Sequence, residues 1–595
     1  MATPSLTSPR VGPVMPRRRR HAAHRDNRGA GFVWLSGALA AMVLVLLLAV
    51  VWLSLTVGVP AIPGGPYSLA NIAAMLGSED TWSVLGDTLV FALVATSLAM
   101  LGGGAVAWVV ERTDFAAKQP TYAAMTVLLL LPGFFPSMGW LFLLGPRIGL
   151  IGRWLHDGLG LDQNAITVAN PIGMGFVQGL LLVPLAFVLL GPPLRAVSGE
   201  LIEAAQIHGV GAWWRAWRIE LPLVTPALIA AAIFCFMVAV ASFDVPAFIG
   251  MTYRQYTFST YVYQLLNPQA GLPQYGLSAA LSLIAMLAAF VLTAIYLSAI
   301  RRGRLYQVVT GRSNRVAPLP LGGARMAVYA GLGVYFLLTF VFPMLLVIWV
   351  ALSPYFRPPS LAAFRALSFA NFSSAPWTLA WGGFEHTLIL MIAVPLAAVL
   401  LGLIVSWVVV RSRSRLREAI DTVIFLPHAV PAIVFAVALQ TLALFVIGPF
   451  LQLAGTVWII ALVYLLTYLA FAVRAISVAV VQVGGELEDA AYVAGLSVGE
   501  TLRTIFLPLV APTALNAWVW IALLVFRELT MAVVLATPAN LTLPTVIWST
   551  WYTGQIGQAT AMSLVFMLLF LPLALVYLLG RRKRGVGEIA SEARL

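Results

Sequence analysis

Long apolar runs, interrupted by short polar and charged intervals, succeed one another from residue 32 to residue 580. A helix rises 1.5 Å per residue, so a run of about 20 apolar residues crosses a bilayer's hydrocarbon. On that criterion the pattern predicts spans near 34–58, 86–110, 120–145, 171–191, 222–250 and 273–300, then near 326–352, 385–410, 420–449, 455–475, 511–537 and 557–580. The expected fold class is an all-α polytopic membrane protein of about 12 transmembrane helices. The first run, 32–59, exceeds the ~7–15 residues of a signal-peptide core, and no small-residue cleavage site follows it. It reads as a retained helix.

One polar interval occurs twice. Residues 200–226 read ELIEAAQIHGVGAWWRAWRIELPLVTP and residues 486–512 read ELEDAAYVAGLSVGETLRTIFLPLVAP. At a single constant offset Glu203 pairs with Asp489, Ala204 and Ala205 with Ala490 and Ala491, Gly209 with Gly495, Ile219 with Ile505, Leu221 with Leu507, and Pro222 with Pro508. Other landmarks recur: Ser68-Leu69-Ala70-Asn71 with Ser368-Phe369-Ala370-Asn371, Trp108 and Arg112 with Trp407 and Arg411, and Leu131-Pro132 and Pro136 with Leu426-Pro427 and Pro431. Such self-similarity marks a duplication. Six spans per half make the repeats parallel, related by an axis along the membrane normal, which places a pathway between the halves. The predicted organisation is a disordered basic tail 1–30, a first domain 31–303, a linker 304–325, a second domain 326–585 and a tail 586–595.

Composition agrees: 61% of residues are hydrophobic and only 10% charged, against roughly 25% charged in soluble domains. The net charge of +13 alone would admit nucleic acid as a partner. However, the arginines flank the spans, in the tail from Arg10 to Arg28 and beyond the last span at Arg581, Arg582 and Arg584. The positive-inside rule then predicts cytoplasmic N- and C-termini, with anionic lipid headgroups and not nucleic acid as their neighbours. It also puts Arg112, Lys118, Arg195, Arg215, Arg218, Arg411, Arg413, Arg415 and Arg417 inside; Arg147, Arg153, Arg254, Arg357 and Arg365 fall outside. Both copies of the polar interval are thereby expected on the cytoplasmic face. Cys235 stands alone, so no intramolecular disulfide forms.

Within the first copy, Leu201, Ala204, Ala205 and His208 share one face of a short helix. Gly209 and Gly211 break it, residues 213–220 suit a second short helix, and Pro222 fits the first turn of a further one. Such an element, outside the bilayer yet held to the next span, can bear force. A mere connecting loop is the plainer reading, and two copies with matched spacing argue against it.

The pattern Glu203-Ala204-Ala205, Gly209, Ile219, Leu221-Pro222 resembles the EAA signature of ABC-importer permease subunits. The second copy, Asp489-Ala490-Ala491, Gly495, Ile505, Leu507-Pro508, differs only in its shorter acid. The resemblance implies two fused permease halves of the type I importer kind, with these residues in helices that couple to a cytoplasmic ATPase. The chain contains no Gly-x-x-x-x-Gly-Lys-Ser/Thr loop, and neither Lys118 nor Lys583 follows a glycine, so it is not itself the ATPase. The implied machine has two copies of a separate ATPase carrying ATP and magnesium, no cofactor on this chain, and a periplasmic or lipid-anchored solute-binding protein. It sits in a bacterial inner membrane.

Ionisable residues within spans are functional candidates. Asp244, Arg527 and Glu528 occupy comparable places after the two loops, either lining a pathway or gate or holding helices together. The sequence Arg527-Glu528-Leu529-Thr530-Met531 and the fused format resemble the ferric-iron type of permease; permeases for thiamine or aminoethylphosphonate share the format. The six histidines, His21, His24, His156, His208, His386 and His428, form no ligand cluster in the sequence, so no metal site is expected. An ion-coupled secondary transporter is the alternative from another class, and it predicts function without a partner. A membrane-embedded enzyme lacks a paired acid and base, since Asp87, Glu385 and His386 read as helix-end polar residues.

Overall fold

The computed structural model describes residues 29–58, 67–146, 149–160, 162, 166–197, 199–304 and 318–592. The tail 1–28, with His21 and His24, most of the predicted linker and Arg147 lie outside the described residues. Among the described residues, ten helices are long and apolar enough to cross a membrane: Ala30–Leu55, Glu79–Arg112, Pro171–Arg195, Ala216–Ala241, Tyr275–Ala299, Gly322–Leu352, Trp377–Arg411, Val457–Gln482, Val498–Arg527 and Ile556–Leu575. Two further elements are broken. Lys118–Leu130 meets Phe134–Leu144 at 88°, and Arg417–His428 meets Ala432–Ile447 at 101°.

Those bends correct the expectation of straight spans at 120–145 and 420–449. Proline lacks an amide hydrogen and pushes the residue before it out of the helical region. The first helix accordingly stops at Leu130, with Leu131 extended ahead of Pro132. In the second half Leu426–His428 tightens into a 3-10 turn holding Pro427, and Pro431 starts the next helix.

Contacts at the helix ends show which way each broken element runs through the bundle. Arg195, ending its helix, donates from Nη2 to Glu111 Oε1 at 2.8 Å, so Glu79–Arg112 and Pro171–Arg195 finish at the same end of the bundle. The chain between them must return to the opposite end, and the bent pair supplies that crossing. In the second half Arg411 donates to the carbonyls of Val480 (3.0 Å) and Val483, which fixes the same parallel arrangement of Trp377–Arg411 and Val457–Gln482. With each bent pair counted as one crossing, the described residues hold 12, called spans one to twelve below.

The halves repeat their internal joints. The Asn71 amide bonds the carbonyls of Ser54 (3.2 Å) and Thr56 (2.7 Å), while Asn371 bonds those of Val350, Ala351 and Ser353. Thr88 accepts from the Phe258 amide at 2.8 Å, as Thr387 accepts from Leu543 at 3.0 Å. Each half also lends its first helix to the other. Span one packs on spans eight and nine, and span seven packs on span three. Tyr335 of span seven donates to the Leu180 carbonyl of span four at 3.1 Å. The tightest crossing is Gly139 against Pro343, where a Cβ on the glycine would lie 2.3 Å from Pro343 Cα. The connection into the second half is tied down as well: Asp114 accepts from the Leu321 amide and from Arg325, each at 2.9 Å, and these contacts hold its carboxyl below the usual range.

Spans five and eleven end earlier than expected, at Ala241 and Arg527 in place of 250 and 537. Ser242 and Glu528 turn extended immediately afterwards. Both breaks lie in the interior, and that places charged residues there.

Candidate functional site

The two polar intervals form matching elements at one end of the bundle. Gly199–Ile207 and Gly485–Val493 are short helices. Each is closed by a glycine with positive φ, +71° at Gly209 and +87° at Gly495, a conformation glycine adopts without the strain a Cβ brings. After the turn the chain does not form a separate second helix, as 213–220 led us to expect. Helix resumes at Ala212–Arg215, widens into a π turn at Ala216–Glu220 and continues as Leu221–Ala241. The second copy does the same through Val498–Thr501, Leu502–Phe506 and Leu507–Arg527. A wide turn placed just before Pro222 and Pro508 accommodates residues that cannot donate to the preceding turn. The second limb of each loop is thus the end of the span itself, and displacement of the loop is displacement of span five or eleven.

The first helix buries the face that holds Ile202. Ile202 (1% exposed) and Ala205 point inward, while Ala204 and His208 are exposed, and Leu487, the counterpart of Leu201, is half exposed. Facing outward are Glu203 and Asp489, Ala204 and Ala490, and both glycines. With them stand Ile207 and Val493, 84% and 88% exposed. These two occupy the same place in the repeat, and their shared apolar character was a usable signal in the sequence that went unread. Large apolar side chains so exposed at matched sites point to a partner surface. Of the remaining signature positions, Ala491 is buried, Ile219 and Ile505 are half-buried, and Pro222, Leu221 and Pro508 sit in the first turn after the π segment.

Each loop is anchored to the preceding repeat landmark. Trp108 Nε1 donates to Glu220 at 3.1 Å and Arg112 Nε at 3.2 Å, with Arg215 3.4 Å from the other carboxylate oxygen. Trp407 Nε1 donates to Glu488 at 3.2 Å and Tyr492 at 2.7 Å, with Arg411 at 3.9 Å. The tryptophan–arginine repeat is visible in the sequence, whereas its glutamate partners, at non-equivalent positions, are not.

At the other break, Arg527 reaches across to the first half. Its Nη1 donates to the carbonyls of Leu129 (3.0 Å) and Leu131 (2.9 Å), the groups freed by the bend at Pro132. Asp244 lies beside the same bend, its carboxylate 2.8 Å from where a Gly133 Cβ would stand. Glu528 accepts from Tyr468 at 2.8 Å and from the Met531 amide at 3.1 Å, and its carbonyl accepts from Tyr464 at 3.2 Å. The repeat offset carries Gln178 and Ser242, themselves paired at 2.9 Å, onto Tyr464 and Glu528. Asp244 therefore falls two positions beyond the counterpart of Glu528, so the two carboxylates come from the same break but not from equivalent sites. Arg527 thereby has a structural task. Arg527→Met leaves two interior carbonyls unpaired at about 1–3 kcal/mol each, so a lowered thermal midpoint in detergent is expected, partly recovered by Arg527→Lys.

His386 Nδ1 lies 2.8 Å from the Leu541 carbonyl, and the His428 ring packs against Phe425 and Phe471.

Comparison with known proteins agrees with this arrangement. A family model described as binding-protein-dependent transport system inner membrane component matches residues 122–304 and again 398–585, one match per half. The chain is 23% identical over 488 residues to the Fe(3+)-transport system permease protein FbpB 2 of Haemophilus influenzae, covering 82% of this chain and 87% of that protein. It is 22% identical to the ferric transport system permease protein FbpB of Actinobacillus pleuropneumoniae over 92% of this chain and 78% of that one. A putative 2-aminoethylphosphonate transport system permease protein PhnV of Salmonella paratyphi A is 27% identical, covering 45% of this chain and 98% of its own length. With two family matches spanning more than half its length, the chain belongs to the binding-protein-dependent transport system inner membrane components, as a fused, multi-pass permease subunit of an ABC importer and not an enzyme.

Proposed function

We propose that this permease carries ferric iron into the cytoplasm, driven by two copies of an ATPase that dock on its paired loops. The observation that carries the coupling reading is the matched exposure of Ile207 and Val493 beside Glu203 and Asp489, on helices continuous with spans five and eleven. Apolar contact with an acidic rim suits a docking surface. ATP and magnesium belong to those partners, and a binding protein delivers cargo at the opposite end. The positive-inside bias supports cytoplasmic termini.

For the cargo, relatives that cover 82% and 92% of this chain are named for ferric transport, whereas PhnV covers 45% of it. The interior favours a cation: Asp244 and Glu528 approach the central bend, while Arg527 is committed through Nη1 to backbone carbonyls and is not presented to an anion. Iron here is substrate and not a resident group. Uptake of radiolabelled ferric iron, thiamine and aminoethylphosphonate in a deletion strain tests the assignment. Loss of iron uptake alone is expected; unchanged iron uptake contradicts it.

A further inference from the structure

The anchors described above differ in one respect. The repeat offset carries Glu220 onto Phe506 and carries Glu488 back onto Ile202. Each half therefore places one glutamate and one large apolar residue at the same two sites, in opposite order. All four point inward: Ile202 is 1%, Glu220 2% and Phe506 0% exposed, and the Glu488 side chain is 12% exposed. Ile202 packs in the cluster holding Ala107 and Val110, and Phe506 in the one holding Trp407 and Val408. Arg411 stands over the Phe506 ring at 6.0 Å, where its counterpart Arg112 meets Glu220. Each span end thus offers the same receptor, an indole N–H and a guanidinium one turn apart. A carboxylate reaches it from either site.

We propose that Glu220 and Glu488 are transposed versions of a single positioning residue that locks each loop to span two or span eight. The transposition makes the loops mechanically unequal. Glu488 lies on the exposed helix itself, so a push on the second loop reaches span eight directly. Glu220 lies at the base of span five, so the first helix, which presents the apolar Ile202 where the second presents Glu488, passes the carboxylate's pull to span two only after the glycine turn. This inference rests on the coupling reading for its functional consequence, while the anchor itself does not.

The test is to move the carboxylates. Glu220→Phe removes the first anchor, and Ile202→Glu with Glu220→Phe rebuilds it in the arrangement of the second half. Glu488→Ile and the pair Glu488→Ile with Phe506→Glu do the reverse. Each variant of the full chain is purified in detergent for its yield and thermal midpoint, and assayed in cells for uptake of the wild type's cargo. The single changes are expected to lower uptake at least about tenfold and to lower the midpoint or yield, with both transposed pairs recovering most of each. Glu220→Gln, which keeps the shape but not the charge, is expected to reduce uptake with a smaller change in midpoint. Pairs no better than the singles, or a Glu220→Gln chain with wild-type uptake, overturn the proposal. If no ATPase co-purifies with the wild type, the coupling reading fails, yet recovery of the midpoint by the pairs still decides the anchor.

Discussion

Replacing Gly209 and Gly495 together by leucine is expected to abolish ATP-driven uptake while leaving the chain inserted and folded. A Cβ at either glycine meets no atom of this chain within 4 Å, so no packing is lost. The backbone does resist: φ of +71° and +87° costs a side chain about 1–2 kcal/mol, a tolerable amount at an exposed turn. A bound partner meets the new side chains beside Ile207 and Val493. Interference at two docking sites, each worth only a few kcal/mol, suffices for a loss of at least about 100-fold. Asparagine, which tolerates positive φ, separates the two effects. Gly209→Asn with Gly495→Asn relieves the strain yet keeps the protrusion, so its uptake is expected to stay well below wild type. Normal uptake by the leucine pair counts against docking at these turns.

The same substitution at Gly139 is expected to have the opposite readout. There a Cβ would sit 2.3 Å from Pro343 Cα and 2.7 Å from the Pro343 carbonyl oxygen, inside backbone that no rotamer change can clear. The contact joins span three of one half to span seven of the other, so relief requires the halves to part. Overpacking typically costs about 1–3 kcal/mol where side chains can yield, and here they cannot. Gly139→Ala is expected to lower the thermal midpoint by several degrees or more. Gly139→Leu is expected to yield little folded protein. Fluorescence-detected size exclusion and thermal unfolding in detergent measure both. A leucine variant with wild-type yield and midpoint contradicts the close crossing.

The contrast shows which features were legible in the sequence. Span number followed from apolar length, and the duplicated loop from residue identity at constant offset, because both are one-dimensional. Gly209 and Gly495 were visible for the same reason. Gly139 was not, since nothing near it in the chain announces Pro343. The spans expected at 120–145 and 420–449 carried no sign of their breaks beyond the prolines themselves, and the 88° and 101° angles depend on what packs into the elbow, Arg527 and Asp244 at the first. Which side of the first short helix is buried was not legible, because Ala204 and Ala205 fit either side equally well by size. The anchoring glutamates escaped notice for a different reason: a search for identical residues reads Glu220 opposite Phe506 as a mismatch. Only their convergence on Trp108–Arg112 and Trp407–Arg411 shows them to be equivalent. Finally, Asp244 and Glu528 occupy comparable places after the two loops, and the paired contacts Gln178–Ser242 and Tyr464–Glu528 set them two residues apart in register.

The central claim is that both loops touch an ATPase, and proximity labelling from their exposed apolar residues tests it most directly. Cys235 is the single cysteine and is buried, so a Cys235→Ser background accepts Ile207→Cys or Val493→Cys as a unique handle for a maleimide–diazirine cross-linker. In membranes from the native host, irradiation is expected to join the permease to an ATP-binding subunit from each position. Cross-links to no such subunit from either position, with labelling of the cysteine itself complete, contradict the account.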